Sequence, residues 1–180
     1  MTETTDLSAA EFVLHRVLDA PRETVWRAWS EAEHLAKWWG PKDFSNEVVA
    51  LDFRVGGAFH YGMKMPDGGK MWGKLVYREI DAPEKLVYSS SFADAAGNIT
   101  RAPFPGSFPL HILNSVTFEE SDGKTTMTLR AAPLDATEEE RAFFAGMHDS
   151  MRGGFGGMFD HLADYLSHRV LDVDAATEKP

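Results

Sequence analysis

The chain of 180 residues contains no cysteine. Disulfides, iron–sulfur clusters, thiolate zinc sites and a cysteine nucleophile are thereby excluded. The composition fits a reducing compartment. Positive charge is scarce: 18 Lys and Arg stand against 28 Asp and Glu, for a net charge of -10. No Lys/Arg cluster breaks that balance. A nucleic-acid backbone and an anionic membrane are therefore poor partners, since both need a basic face. Long apolar runs are also missing, and none approaches the roughly 18 residues of a membrane span. The opening MTETTDLSAAEF has neither the basic n-region nor the apolar h-region of a secretory signal. The expectation is a cytoplasmic protein with no membrane insertion.

Motifs of established chemistries are absent as well. There is no H-E-x-x-H, P-loop, G-x-S-x-G or dinucleotide fingerprint. His148, His161 and His168 are spaced by 13 and 7, not by the four residues of a helical metal pair. Asp52, Glu79 and Asp160 are solitary acids with no visible partner for acid–base work. No catalytic residue, metal or cofactor is expected on these grounds.

What the chain does have is aromatic bulk, some of it oddly placed. Trp38 and Trp39 stand directly before Gly40-Pro41, a pair that halts regular structure. Upstream, Phe12, Leu14, Arg16 and Leu18 alternate with Val13, His15 and Val17, which reads as a strand. Asp19 and Pro21 suit a helix start, and two short helices are expected over about 22–29 and 32–38. From Asn46 the pattern is strand-like for about 85 residues. It is broken at Gly56-Gly57, PDGG, DAPEK and SDGK. Turns rather than helical crossovers join these strands, so the sheet should be antiparallel.

Residues 93–109, with three prolines and two glycines, read as a long loop, either a functional lid or a mobile segment. Thr137, followed by three glutamates, suits the start of a C-terminal helix. Its stripe is Met151, Phe155, Met158, Phe159, Leu162, Tyr165 and Leu166. The economical arrangement is α+β: a curved antiparallel sheet around one long helix, with a cavity between them. One domain over 10–169 is expected, with flexible termini at 1–9 and 170–180.

Several residues are candidates for that cavity. Phe59, Tyr61, Tyr88, Phe92, Met151, Phe155 and Met158 can face one interior, as plain core or as the lining for a flat or greasy ligand. Trp39 is expected to reach toward the entrance while Trp38 closes the core of the short helices. Asn114 falls on the face of Ile112, Val116 and Phe118, and a buried amide needs partners. Those partners are either a ligand or water in the cavity, or the backbone of a bulge. His111, at the mouth of the long loop, either orients a polar ligand group or is a surface strand histidine. Arg16 faces inward by parity, where it pairs with Asp52 or a ligand carboxylate or, the favoured reading, forms a structural ion pair at the strand edge. The run GGFGG at 153–157 places four glycines in the helix, which costs roughly 4 kcal/mol relative to alanine. Close approach of the sheet near Gly73 or of the tryptophans, a broken helix, or a bound ligand would each account for it.

Taken in order, these residues resemble a known family. Ala20-Pro21, Val25-Trp26 and Trp38-Trp39-Gly40-Pro41 are similar to the opening signature of the START-like superfamily, also called SRPBCC or birch-pollen-allergen-like. Asp52 with Gly56-Gly57, then Gly73, EIDAPEKLVYS, DGKTTMTLR and MRGGFGGMFDHLADYL extend the likeness over residues 12–168. The nearest branch is that of homologues of the activator of the ninety-kilodalton heat-shock-protein ATPase. Where that branch carries Gly-Trp in its last helix, this chain has Gly154-Phe155, which leaves more space.

The resemblance implies a helix-grip fold, with a seven-stranded antiparallel sheet gripping the last helix. It further implies a small hydrophobic or amphipathic ligand in the cavity, held without established catalysis. An enzyme of polyketide-cyclase type, using Asn114, His111 or Arg16, is the first alternative. A stress-related protein with a chaperone contact is the second. A homodimer through a sheet edge is an open alternative for the oligomeric state.

Overall fold

A computed structural model describes residues 11–41 and 43–178, with side chains as far as Ser167. The alternation in FVLHRVL forms β1 (Phe12–Leu18). Phe12 and Leu18 are buried on its inner face and Val17 is exposed on the outer, as a period of two requires. Pro21, in an extended conformation, opens α1 (Arg22–Ser30) without a side-chain cap. Asp19 does not play that role. Instead Glu120, far along the chain, accepts the Arg22 amide hydrogen at 2.9 Å. After α2 (Ala32–Trp38), the chain turns at Gly40, whose φ of 101° is costly for any residue with a Cβ. His161 Nδ1 donates to the Gly40 carbonyl at 3.0 Å, tying this turn to the last helix.

The remaining strands are β2 (Ser45–Leu51), β3 (Ala58–Lys64), β4 (Lys70–Asp81), β5 (Lys85–Ala93), β6 (Ile99–Thr100), β7 (His111–Ser121) and β8 (Lys124–Leu134). The order across the sheet is β1-β8-β7-β5-β4-β3-β2, with β6 attached to β5. Every pairing is antiparallel. The β7–β8 turn has Asp122 at φ 55° and Gly123 at φ 77°, the pair of positive values that the tightest hairpins use. The segment read as one long loop contains an additional short hairpin. The Asp94 carboxylate accepts the amide hydrogens of Ala96 and Asn98, and Ile99-Thr100 then pair with Ala93 and Phe92.

Thr137 caps as expected, and reciprocally. Its hydroxyl accepts the Glu140 amide hydrogen at 3.1 Å, and the Glu140 carboxylate accepts that of Thr137 at 3.0 Å. The single C-terminal helix is in fact two, α3 (Glu138–Gly146) and α4 (His148–Glu178), divided at Met147. The backbone of α4 is helical through Glu178, past the residue 169 at which the sequence pattern fades. The expectation for residues 1–9 lies outside the described residues. Phe159, Leu162 and Leu166 of α4 are buried against the sheet and the short helices, which is the helix-grip arrangement. Among the described residues no helix is long and apolar enough to cross a membrane.

Candidate functional site

The inner face of the sheet changes character along the strands. At one end α1 and α2 fill the space with rings. Trp29 meets Trp38 at 5.0 Å and Trp39 at 5.6 Å, both edge-on, and Phe118 and Phe159 close the cluster. The Trp38 indole N–H donates to the Ala28 carbonyl at 2.8 Å. At the other end the inward positions are small or polar: Gly73 on β4, Ser90 on β5, Asn114 on β7 and Ala131 on β8. Here a cavity of about 180 Å³ opens between sheet and α4.

The cavity walls come from distant parts of the chain. β3 and β4 supply Tyr61, Met63, Met71 and Trp72. Gly73 has its partner Tyr61 lying across it: a Cβ there would sit 2.3 Å from the phenol. β5 supplies Phe92 and α4 supplies Met151 and Phe155. Phe108 and Phe144 close the side toward α3. The chain before α3 is latched onto that helix: Arg101 donates to Glu140 at 2.8 Å, and the Ser107 hydroxyl donates to Glu139 at 2.6 Å. A second hollow, of about 310 Å³, adjoins across Met71, Trp72 and Phe92 and is edged by Lys70 and Asp94.

Electrostatically the cavity is neutral. Among its described lining residues there is no Asp, Glu, His, Lys or Arg. Burial pushes the Tyr61 hydroxyl above its ordinary pKa, although the Trp39 indole N–H donates to it and pulls the other way. It therefore stays protonated. Burial raises the Tyr88 pKa too, and its tyrosine neighbours add to the shift. Among the described residues no group of three His, Asp or Glu side chains could hold a metal ion.

Asn114 is 3% exposed and lines this cavity. Its amide nitrogen donates to the Ile112 carbonyl at 3.1 Å, the Ser90 hydroxyl at 2.9 Å and, more weakly, the Tyr88 carbonyl at 3.4 Å. Carbonyls only accept, so these contacts fix which end of the amide is nitrogen. A ligand, a water and the backbone of a bulge were the expected partners. The nitrogen is satisfied by groups of β5 and of its own strand, and β7 carries no bulge at this register.

Of the expected cavity residues, the structure gathers Tyr61, Phe92, Asn114, Met151 and Phe155 around the hollow. The other five stand elsewhere. Trp39 is 6% exposed and one layer back, touching Phe59 and Tyr61 rather than the entrance. Phe59 and Tyr88 share the inner face but lie toward the filled end, Tyr88 beside Trp29 and Tyr77. Met158 is buried in the core, on a turn of α4 beyond Phe155. His111 has the wrong parity: Ile112 and Asn114 point in, so His111 points out, where its Nδ1 lies 3.0 Å from the Ser91 hydroxyl. Arg16 does face inward, but its partner is Asp160 of α4, while Asp52 pairs with Arg54.

Two of the accounts offered for the glycine run do not apply. α4 continues unbroken through it, and a Cβ at Gly153, Gly154, Gly156 or Gly157 would meet nothing within 4 Å. Close approach of the sheet does not explain it. Met63 and Ser90 were legible as site residues, since they share the parity of Tyr61 and of Phe92. Phe108 and Phe144 were not, because no periodicity places a loop or a separate helix over a sheet.

Compared with known proteins, the chain matches the family model described as Activator of Hsp90 ATPase homolog 1-like protein over residues 19–167. No curated protein matches it. Solved structures do. A protein from Arthrobacter aurescens is 27% identical with a TM-score of 0.76, covering 90% of this chain and 88% of its own. One from Mycobacterium smegmatis is 26% identical with a TM-score of 0.71, covering 88% and 91%. A third, from Chromobacterium violaceum, is 26% identical with a TM-score of 0.64, covering 87% and 96%. With the helix-grip architecture and a family match over most of its length, this chain belongs to the Activator of Hsp90 ATPase homolog 1-like family.

Proposed function

We propose that the protein binds a small hydrophobic or amphipathic molecule in the cavity between the sheet and α4, without covalent chemistry. The observation that carries this reading is the cavity itself: about 180 Å³, walled by aromatic and methionine side chains, with few polar groups. An apolar cavity of about 150 Å³ is enough to hold one benzene ring. The volume therefore suits a ligand of single-ring size, and a longer molecule would have to extend into the adjoining hollow of about 310 Å³. The methionines Met63, Met71 and Met151 give the walls adaptable shape. A lining without an ionised side chain supports binding over acid–base catalysis of the cyclase type, which needs a group able to exchange a proton near neutral pH.

Native mass spectrometry of the full chain, mixed with small hydrophobic metabolites extracted from cells, tests the proposal. The expected result is a one-to-one adduct that is weakened by Ala131→Leu, which fills the hollow from β8. Adducts unaffected by that substitution would place the ligand elsewhere.

A further inference from the structure

The Asn114 amide has two ends, and only one is occupied. All three of its hydrogen bonds leave from the nitrogen. The carbonyl oxygen has no partner among the described residues, nor is it among the side-chain polar atoms sealed away without one. On a side chain that is 3% exposed and borders the cavity, that oxygen is left to the cavity. β5 and its own strand β7 hold the amide in place through the nitrogen, so it cannot flip to offer its N–H groups instead. A fixed, unpaired acceptor in a mostly apolar hollow, whose lining also carries the hydroxyls of Tyr61, Ser90 and Ser91, favours a hydrogen-bond donor on the ligand.

Three constraints converge. The volume of about 180 Å³ suits a body of about one ring, and anything larger would have to reach into the adjoining hollow. The absence of any ionised group among the described lining residues makes burial of a charged ligand unfavourable, since nothing there would pair with it. Ring faces and edges from Tyr61, Trp72, Phe92, Phe108 and Phe155 favour a flat, aromatic body. Resting on the binding function proposed above, we infer that the ligand is a neutral, single-ring aromatic molecule bearing an O–H or N–H donor, such as a phenol or an anilide. Asn114 Oδ1 is the acceptor that selects it.

The inference is tested by calorimetric titration of the full-length protein with phenol, toluene and benzoate. Phenol and toluene have the same shape, but water holds the phenol hydroxyl more strongly. A purely apolar cavity would therefore favour toluene. The expected result is that phenol binds at least as tightly as toluene, that benzoate does not bind at neutral pH, and that Asn114→Leu shifts the phenol-to-toluene preference toward toluene by roughly three- to tenfold. Asn114 also braces β5 and β7, so the wild-type comparison decides if Asn114→Leu fails to fold. Toluene binding tenfold or more tightly than phenol to the wild type would overturn the donor requirement and leave the cavity reading standing. Binding of neither compound up to its solubility would overturn the cavity reading, and the inference with it.

Discussion

The same strands that are tightly packed at one end are hollow at the other. On β3, Phe59 is fully buried among rings, while Tyr61, two residues on, borders the cavity. On β5 the contrast runs from Tyr88 to Ser90, and on β7 from Phe118 and Val116 to Asn114. α4 repeats it: Phe159 and Leu162 are sealed, Phe155 and Met151 are half-buried beside empty space. The filled end has α1 and α2 over it, carrying Trp26, Trp29, Trp38 and the adjoining Trp39. Apart from α4, which spans both ends, the hollow end has only the loop around Phe108 and the short α3. Strand chemistry alone does not make a cavity. It follows from which second layer the strand happens to meet.

The comparison can be broken most directly by deleting a large ring from each end. Trp38→Ala should destabilise the fold by about 3–5 kcal/mol, because a fully buried indole and its bond to Ala28 are both lost. Phe155→Ala should cost only about 1–2 kcal/mol, since that ring already borders a void, and it should enlarge the ligand that fits. Chemical denaturation measures both. Equal losses would mean that the two ends are packed alike.

Glu140 sharpens the contrast at the closing segment of the hollow end. It caps α3 through Thr137 and also holds Arg101. Glu140→Ala should cost about 1 kcal/mol at neutral pH. The Thr137 amide, first, and Arg101 lower the Glu140 pKa. A depressed folded-state pKa gives stability that is present above the unfolded value, about 4.3, and is lost as pH falls through the folded value. The wild type and Glu140→Ala should therefore converge in acid, and denaturant midpoints taken from pH 7 down to 3 would reveal a constant gap if the carboxylate were not responsible.

The smallest effect expected has the opposite sign. Gly153→Ala and Gly154→Ala sit on an exposed face of α4 with room for a methyl group, so each should stabilise by about 0.5–1 kcal/mol. Thermal melts that fall instead would show that something covers this face. Nothing in the static structure accounts for the four glycines. Their position in the α4 segment that carries Met151 and Phe155 puts them beside the hollow end and not the filled one.

Local pattern in the sequence was enough for most of the architecture. Alternation set β1 and the inward face of β7, Asp122-Gly123 set the last hairpin, and Thr137 with Glu140 set the start of α3. Each depends on neighbours a few residues apart, whose spacing the chain itself writes. Tertiary structure decided the rest. It chose Glu120 to serve the start of α1, Asp160 rather than Asp52 for Arg16, and Trp39 for the layer behind the cavity wall. It also decided that Asn114 would spend its nitrogen on the sheet and keep its oxygen for the hollow. Periodicity says which face of an element is apolar. Whether that face is filled depends on the volumes that distant segments bring to it, and no local pattern encodes that sum.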